Sequence, residues 1–200
     1  IKVFGLMGAS TGLNERAVKS LSMKYEKIYL HPNDHANYYP NATPISIKVI
    51  YNKENKEILG AQAVGIKGAD KFIDVIATMI KFKGTIYDLT ELELAYAPPF
   101  LSAKSPANMA GFIGENLEDG LFEQIFFEDL KNYDKNKHII LDVRDEMELA
   151  SGIFDHSINI SLSELRKEVE KLPKDKEIWT YCAVGLRGYL ASRFLIQKGY

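Results

Sequence analysis

The sequence predicts two domains: an α+β domain with an antiparallel sheet and helices, followed by an α/β domain with a parallel sheet flanked by helices. With 200 residues, of which 46% are hydrophobic, the chain is long enough for two small cores. In the first half, strand patterns and a hairpin are combined with helical patterns, whereas in the second half short strands and helices alternate. We place the domains at residues 1–112 and 123–200, with a linker over residues 113–122.

Local patterns predict each element of the first domain. Asn14 is suited to cap a helix whose apolar face carries Ala17, Val18 and Leu21. Alternation of apolar and polar residues predicts two strands that a charged turn joins as a hairpin. A helical spacing of apolar residues follows, and Gly84 is expected to end that helix. The predicted strands cover residues 2–6, 27–30, 44–51 and 58–64, and the later helices cover residues 69–82 and begin again near Pro106.

The second domain is predicted from shorter alternating segments. Strands are expected over residues 126–127, 138–143, 158–160 and 177–181, and helical segments over residues 129–133, 146–150 and 163–171. Trp179 lies on the last strand and is expected in the core. The chain starts without Met, and no strand follows its terminal helix. We therefore expect a segment of a longer polypeptide whose second domain is C-terminally incomplete.

The only cysteine, Cys182, directly follows the last predicted strand, and a turn and an amphipathic helix come after it. A thiol there faces the unpaired N–H groups and positive dipole end of the helix, so it should ionise easily. Gly185 lets the backbone curl, and Arg187 supplies a cation. Free cysteines are often simply buried, but a buried structural cysteine would need neither the glycines nor the arginine. The pattern therefore favours a reactive thiol.

Composition excludes several classes of function. A net charge of −2 and the lack of a basic run argue against nucleic acid and anionic membranes as partners. No apolar stretch approaches the ~20 residues that span a bilayer, and the first residues do not resemble a signal peptide. A single cysteine cannot form an internal disulfide, which fits a reducing, cytoplasmic compartment.

The segment from Cys182 to Arg187 resembles the active-site loop of rhodanese domains. Four residues separate the cysteine from the arginine, whereas the related dual-specificity phosphatases use a loop one residue longer. The resemblance implies that Cys182 is catalytic and carries a sulfane sulfur as a persulfide, and that Arg187 stabilises it. It also implies that the loop N–H groups bind the sulfur; these belong to Ala183, Val184, Gly185 and Leu186.

Two upstream segments extend this resemblance. Residues 141–144, Leu-Asp-Val-Arg, match a strand-end motif in which Asp142 and Arg144 are expected to support the active site rather than to react. Residues 152–160 resemble a second family segment. There Ile153 stands in the place of a histidine, and His156 in the place of a glycine. This departure argues against a catalytic histidine.

The first domain resembles the C-terminal dimerisation domain of flavin-dependent pyridine nucleotide-disulfide oxidoreductases, in particular the enzymes that reduce coenzyme A disulfide or persulfides. The resemblance covers residues 1–112, and its most specific part is Tyr96-Ala-Pro-Pro-Phe100 with Lys104 downstream. It implies FAD and NAD(P)H in the full-length protein, coenzyme A as substrate or cofactor, and a homodimer through residues 1–112. Tyr38, Tyr96 and Lys104 would then reach the partner's flavin-side cysteine and its coenzyme A, with Tyr39 beside them.

Several alternatives stay open. From the residues alone, Tyr38 and Tyr39 could equally pack an interface, and only the resemblance favours a functional role. His31 and His35 are expected to be exposed in a polar loop, and no metal site is predicted. Besides a flavin-dependent reductase with a sulfur-carrying domain, the chain could be a stand-alone sulfurtransferase with a dimerising first domain, or a non-catalytic dimer module with a sensing thiol.

Overall fold

The computed structural model describes residues 1–200, which form two compact units, Ile1–Glu118 and Asp119–Tyr200. The first unit is built on an antiparallel sheet of five strands in the order β1-β2-β5-β4-β3. The strands are β1 (Lys2–Val3), β2 (Leu6–Gly12), β3 (Tyr25–Leu30), β4 (Ile45–Asn52) and β5 (Ile58–Gly65). Its helices are α1 (Glu15–Ser20), α2 (Ala69–Lys81) and α3 (Pro106–Glu118), with a 3-10 turn over Asp88–Glu91.

The core of the first unit lies between the sheet and the helices. Alternate residues of β4 are buried, including Ile45, Ile47 and Val49, while Ser46 is exposed, as the period-two pattern predicted. Phe72, Ile73 and Ile76 of α2 belong to the same buried cluster. Helix α1 begins as predicted, because the side chain of Asn14 accepts the Ala17 N–H at 2.9 Å.

Two local predictions for this unit are wrong, and the predicted end of α2 is right to within one residue. The expected strand over residues 2–6 is two strands with a turn at Phe4 and Gly5, both at positive φ. Leu21 is 60% exposed, because α1 is only six residues long and ends before it. Helix α2 ends at Lys81 and is closed by Lys83 in the left-handed conformation, with the Gly84 N–H donating to Met79 O at 2.8 Å.

Part of the predicted linker is helical, because α3 runs to Glu118. The last turn of α3 is held to the sheet: Tyr51 donates to Glu118 at 2.9 Å, and the Lys56 ammonium also binds this carboxylate. Residues 113–118 therefore belong to the first unit, which divides from the second after Glu118. The predicted domain bounds, 1–112 and 123–200, stay a prediction.

The second unit contains a parallel sheet of three strands in the order β7-β6-β8. Its strands are β6 (His138–Asp142), β7 (Ile158–Asn159) and β8 (Glu177–Tyr181), its helices are α4 (Leu165–Glu168) and α5 (Leu186–Gln197), and 3-10 turns cover Phe127–Asn132, Glu146–Ser151 and Val169–Lys171. The predicted fold class, an antiparallel sheet with helices followed by a parallel sheet with helices, is confirmed.

The core of this unit joins β6 to both helices, through Leu141, Leu165 and Leu195. Trp179 is buried, as predicted, and its indole N–H donates to Glu177 at 2.7 Å. The strand predicted over residues 126–127 is wrong, because the Asp129 carboxylate accepts the Phe126 N–H at 2.7 Å and caps a 3-10 turn there instead. No helix of the chain has both the length and the apolar character that a bilayer-spanning segment needs.

Candidate active site

Cys182 lies in the loop between β8 and α5, at the C-terminal end of the parallel sheet. Its thiol is half-buried, and Sγ accepts the N–H of Gly185 at 3.2 Å. Gly185 is the N-cap of α5 and has a φ of 98°, which an L residue adopts only with strain. The sulfur therefore faces the N-terminal end of a helix of 12 residues, as the sequence predicted.

The loop is held on one side by hydrogen bonds between β8 and α5 that the sequence analysis missed. The hydroxyl of Thr180 donates to the carbonyl of Gly188 at 3.0 Å and lies 2.8 Å from the Ser192 hydroxyl. These polar residues looked like ordinary members of a strand and a helix. Side chains alternate between the two faces of β8, so Thr180 points away from the face that carries Trp179 and Tyr181. Only this alternation could have indicated the hydrogen bonds to α5.

The guanidinium of Arg187 is paired with a carboxylate rather than left free beside the thiol. Its two terminal nitrogens lie 2.5 and 2.6 Å from the two oxygens of Glu148, and Asp145 lies 3.5 Å away. The hydrogen bonds from Arg187 lower the pKa of Glu148 to about 2. The same hydrogen bonds raise the pKa of Arg187. The negative charge of an ionised Cys182 raises it further, but by a smaller amount. The carboxylates of Glu148 and Asp145 thus share this guanidinium, and the stabilisation of the Cys182 sulfur by Arg187 stays a prediction.

Asp142 and Arg144 form a buried ion pair at the end of β6. Arg144 donates to both oxygens of Asp142, at 2.7 to 3.1 Å, and the carboxylate is fully buried. Burial raises the pKa of Asp142, but the hydrogen bonds from Arg144 and Tyr181 outweigh it, so the pKa is lowered overall. This geometry fits the supporting role that the sequence analysis assigned to the pair.

Arg144 also holds the segment that carries Glu148. It donates to the Gly152 carbonyl at 2.7 Å and to the Ser151 hydroxyl at 3.1 Å, at the end of the 3-10 turn. Contacts thus run from Asp142 through Arg144 to this turn, and from Glu148 to Arg187 in the cysteine loop.

The departures from the second rhodanese segment lie on the surface. Ile153 and His156 are both exposed, and His156 adopts a φ of 64°. Phe154, between them, packs edge-on against Tyr181 with ring centroids 4.9 Å apart, directly before Cys182. The segment therefore contributes an aromatic contact to Tyr181, the residue before Cys182, and its one imidazole, that of His156, is exposed.

In the first unit, the fold brings together two tyrosines that the sequence analysis selected. The hydroxyl oxygens of Tyr38 and Tyr96 lie 3.0 Å apart, and both side chains are exposed, Tyr38 to 73%. The hydrogen bond to Tyr96 raises the pKa of Tyr38. Tyr39 is also exposed, whereas the Lys104 ammonium lies 5.8 Å from the ring centroid of Phe112.

His35 is buried, which corrects the expectation of two exposed histidines in the tyrosine loop; His31 is exposed as expected. The ring nitrogens of His35 lie 2.8 Å from the Asp34 carboxylate and 3.2 Å from the Pro40 carbonyl. Asp34 in turn accepts the Thr43 N–H at 2.6 Å. Hydrogen bonds to other residues of the same loop therefore hold this imidazole in a buried position.

Two family models match the chain. Residues 1–107 match the pyridine nucleotide-disulphide oxidoreductase dimerisation domain, and residues 127–200 match the rhodanese-like domain. Coenzyme A disulfide reductase from Staphylococcus aureus is 39% identical over 112 residues, which are 56% of this chain and 25% of that protein. The chain therefore spans about a quarter of the length of the curated relatives that it matches.

Two solved structures match both units. Reduced CoADR-RHD from Bacillus anthracis is 48% identical, with a TM-score of 0.95 over 100% of this chain and 36% of that one. An NAD-dependent persulfide reductase from A. fulgidus is 39% identical, with a TM-score of 0.88 over 99% of this chain and 35% of that one. The chain belongs to the pyridine nucleotide-disulphide oxidoreductase family, of which it contains the dimerisation domain, followed by a rhodanese-like domain.

Proposed function

We propose that the chain is the C-terminal part of a homodimeric, FAD- and NAD(P)H-dependent reductase of coenzyme A disulfide, persulfide or polysulfide, in which Cys182 carries sulfane sulfur. The main support is the hydrogen bond of 3.2 Å from the Gly185 N–H to Cys182 Sγ at the start of α5. Relatives named for the reduction of coenzyme A disulfide and of persulfides support the reductase part.

The proposed role of Cys182 is to accept a sulfur atom from a donor and pass it on. Its thiolate attacks the outer sulfur of a persulfide R–S–S–H. An S–S bond to Cys182 forms while the donor S–S bond breaks, and the leaving thiolate R–S⁻ takes up a proton. The N–H of Gly185 stabilises negative charge on the cysteine sulfur before the attack. We propose the same for the N–H groups of Ala183, Val184 and Leu186 once the second sulfur is bound.

The proposed role of the first unit is to complete the partner subunit's reductase site. Tyr38 and Tyr96 share a hydrogen bond on the surface, so one phenol can donate to a developing thiolate while the other stabilises it. We assign Lys104 and Tyr39 to binding of coenzyme A, the ammonium meeting a phosphate. The flavin and the nicotinamide, when bound by the rest of the protein, supply the electrons.

The decisive experiment follows the single cysteine of this chain. Full-length protein is treated with an organic persulfide, and the peptide that contains Cys182 is examined by mass spectrometry. We expect the peptide to gain one sulfur atom and to lose it when reductant thiols are added. Persulfide-dependent turnover should fall in a Cys182→Ser variant, while reduction of coenzyme A disulfide should continue. A peptide that never gains sulfur would disprove the carrier role.

The same experiment tests the other two functions. A stand-alone sulfurtransferase would load sulfur on Cys182 but would not oxidise NAD(P)H with any of these substrates. A sensing thiol would form a mixed disulfide without turnover. A single cysteine suits a reducing compartment, and we propose a cytoplasmic location.

A further inference from the structure

The mouth of the Cys182 loop carries an excess of negative charge. Asp145 and Glu148 lie 3.5 and 2.5 Å from the Arg187 guanidinium, so two carboxylates face one cation. The other nearby guanidinium, that of Arg144, is buried with Asp142. An ionised Cys182 would add one more negative charge, so the side-chain charges around the loop repel an approaching anion.

The side chains around this loop are apolar and exposed. Val184 and Leu186, inside the loop, are 57% and 61% exposed. Met147, between the two carboxylate residues, is 92% exposed, and Phe154 packs on Tyr181 next to the cysteine. Exposed apolar side chains in the cysteine loop, and in the segment whose Glu148 binds Arg187 of that loop, can offer a surface to an apolar ligand.

From this arrangement we infer that the Cys182 site selects organic persulfides with an uncharged, apolar arm next to the sulfur, and discriminates against small inorganic anions such as thiosulfate. The inference rests on the proposed sulfur-carrier function and names the donor that the site takes. Glu148 is its specificity-determining residue, because it neutralises the cation that would otherwise attract an anionic donor.

Both donors deliver the same atom by balanced steps. The Cys182 thiolate and R–S–S–H give the Cys182 persulfide and R–S⁻, whereas the thiolate and thiosulfate give the persulfide anion and sulfite. In each case one S–S bond forms and one breaks, with no added oxidant or reductant. The reaction with thiosulfate brings a dianion close to the thiolate and the two carboxylates, which repel it. The reaction with an uncharged persulfide does not.

The test compares two donors in the full-length protein: the persulfide of N-acetylcysteamine, which has an uncharged arm, and thiosulfate. Loading of Cys182 is followed by mass spectrometry in the wild type, in Glu148→Gln and in Val184→Lys. Gln keeps an oxygen that can accept from Arg187, and Val184 is exposed, so both variants should fold. A Glu164→Gln variant, which removes an exposed carboxylate paired with Lys167, is the control.

We expect the wild type to prefer the persulfide at least tenfold. Glu148→Gln should raise the rate with thiosulfate about threefold to tenfold, with little change in the rate with persulfide. Val184→Lys should also raise the rate with thiosulfate but should lower the rate with persulfide, because it replaces an apolar side chain of the proposed donor surface. The control should match the wild type. Equal wild-type rates with both donors, or equal effects of Glu148→Gln on both, would overturn the inference but leave the carrier function intact. Failure of both donors to load Cys182 would instead overturn the proposed function, and the inference with it.

Discussion

The hydroxyl oxygens of Tyr38 and Tyr96 lie 3.0 Å apart, although the two residues are 58 positions apart in the chain. The hydrogen bond to Tyr96 raises the pKa of Tyr38. A pair of phenols joined by a hydrogen bond on an exposed surface suits the proposed donation to a substrate thiolate.

We expect Tyr96→Phe to lower the pKa of Tyr38 towards the ordinary value of about 10. Titration of the protein with ¹³C-labelled tyrosine, followed by NMR, measures this directly. Tyr39→Phe is the matched control, because it removes a neighbouring hydroxyl that is not part of the pair. A Tyr38 pKa that is the same in wild type and Tyr96→Phe would contradict the coupling.

In the full-length protein, Tyr38→Phe should lower kcat for disulfide reduction about a hundredfold and leave KM nearly unchanged, because loss of a proton donor commonly costs this much. Steady-state kinetics with coenzyme A disulfide checks this. A change in KM alone would assign the tyrosine to substrate binding instead.

Gly185→Ala should damage the sulfur site through the backbone. A Cβ at this position would meet no atom within 4 Å, so the cost comes only from the φ of 98°. That conformation costs an L residue about 1–3 kcal/mol, and relaxing it would turn the N–H away from Cys182 Sγ. We expect slower sulfur loading, measured by mass spectrometry. Gly199→Ala, also at positive φ with open space around it, should load normally.

Local patterns were enough to predict much of the Cys182 site. A β-favouring run, a glycine turn and an amphipathic helix determine strand, loop and helix within about ten residues, and the direction of the thiol follows from that geometry. The pairing of Arg187 with Glu148 could not be predicted in this way. These residues are 39 positions apart, and which carboxylate reaches the guanidinium depends on how the 3-10 turn packs.

The wrong local predictions have similar causes. Gly84 looked like the residue that takes the left-handed position after α2, but Lys83 takes it, and Gly84 closes the helix through its N–H, which donates to the Met79 carbonyl. His35 looked exposed because its neighbours are polar, yet Asp34 and the Pro40 carbonyl satisfy its ring inside the loop. Polarity of the sequence does not reveal which polar groups find partners.

Asp142→Asn should destabilise the second unit by about 3 kcal/mol, because it leaves the Arg144 guanidinium buried without a counter-charge. Trp179 is the only tryptophan of the chain and lies in this unit, so its fluorescence during urea unfolding reports on this unit alone. Lys167→Ala, which breaks the exposed pair with Glu164, should change the midpoint very little. If Asp142→Asn were equally mild, Asp142 and Arg144 would not support the site.

The first unit should lose stability in acid through Glu15. This carboxylate binds the ammonium groups of Lys19, Lys27 and Lys48, and it accepts from the Tyr25 hydroxyl at 2.8 Å. Burial raises the pKa of Glu15, but these hydrogen bonds outweigh it and hold the pKa well below its usual range. A lowered folded-state pKa contributes stability that is present above the unfolded value of about 4.3 and is lost as the pH falls towards the folded value.

Glu15→Gln should therefore destabilise the unit by about 2 kcal/mol near neutral pH, and the difference from the wild type should shrink steadily below about pH 4. Hydrogen exchange of the β3 and β4 amides, measured by mass spectrometry at several pH values, follows this unit without interference from the second. Glu54→Gln removes an exposed carboxylate that binds only Lys24, so it should show little effect at any pH. If the difference in stability between wild type and Glu15→Gln stayed constant down to low pH, the packing of the Glu15 side chain, and not its charge, would stabilise its contacts with the lysines.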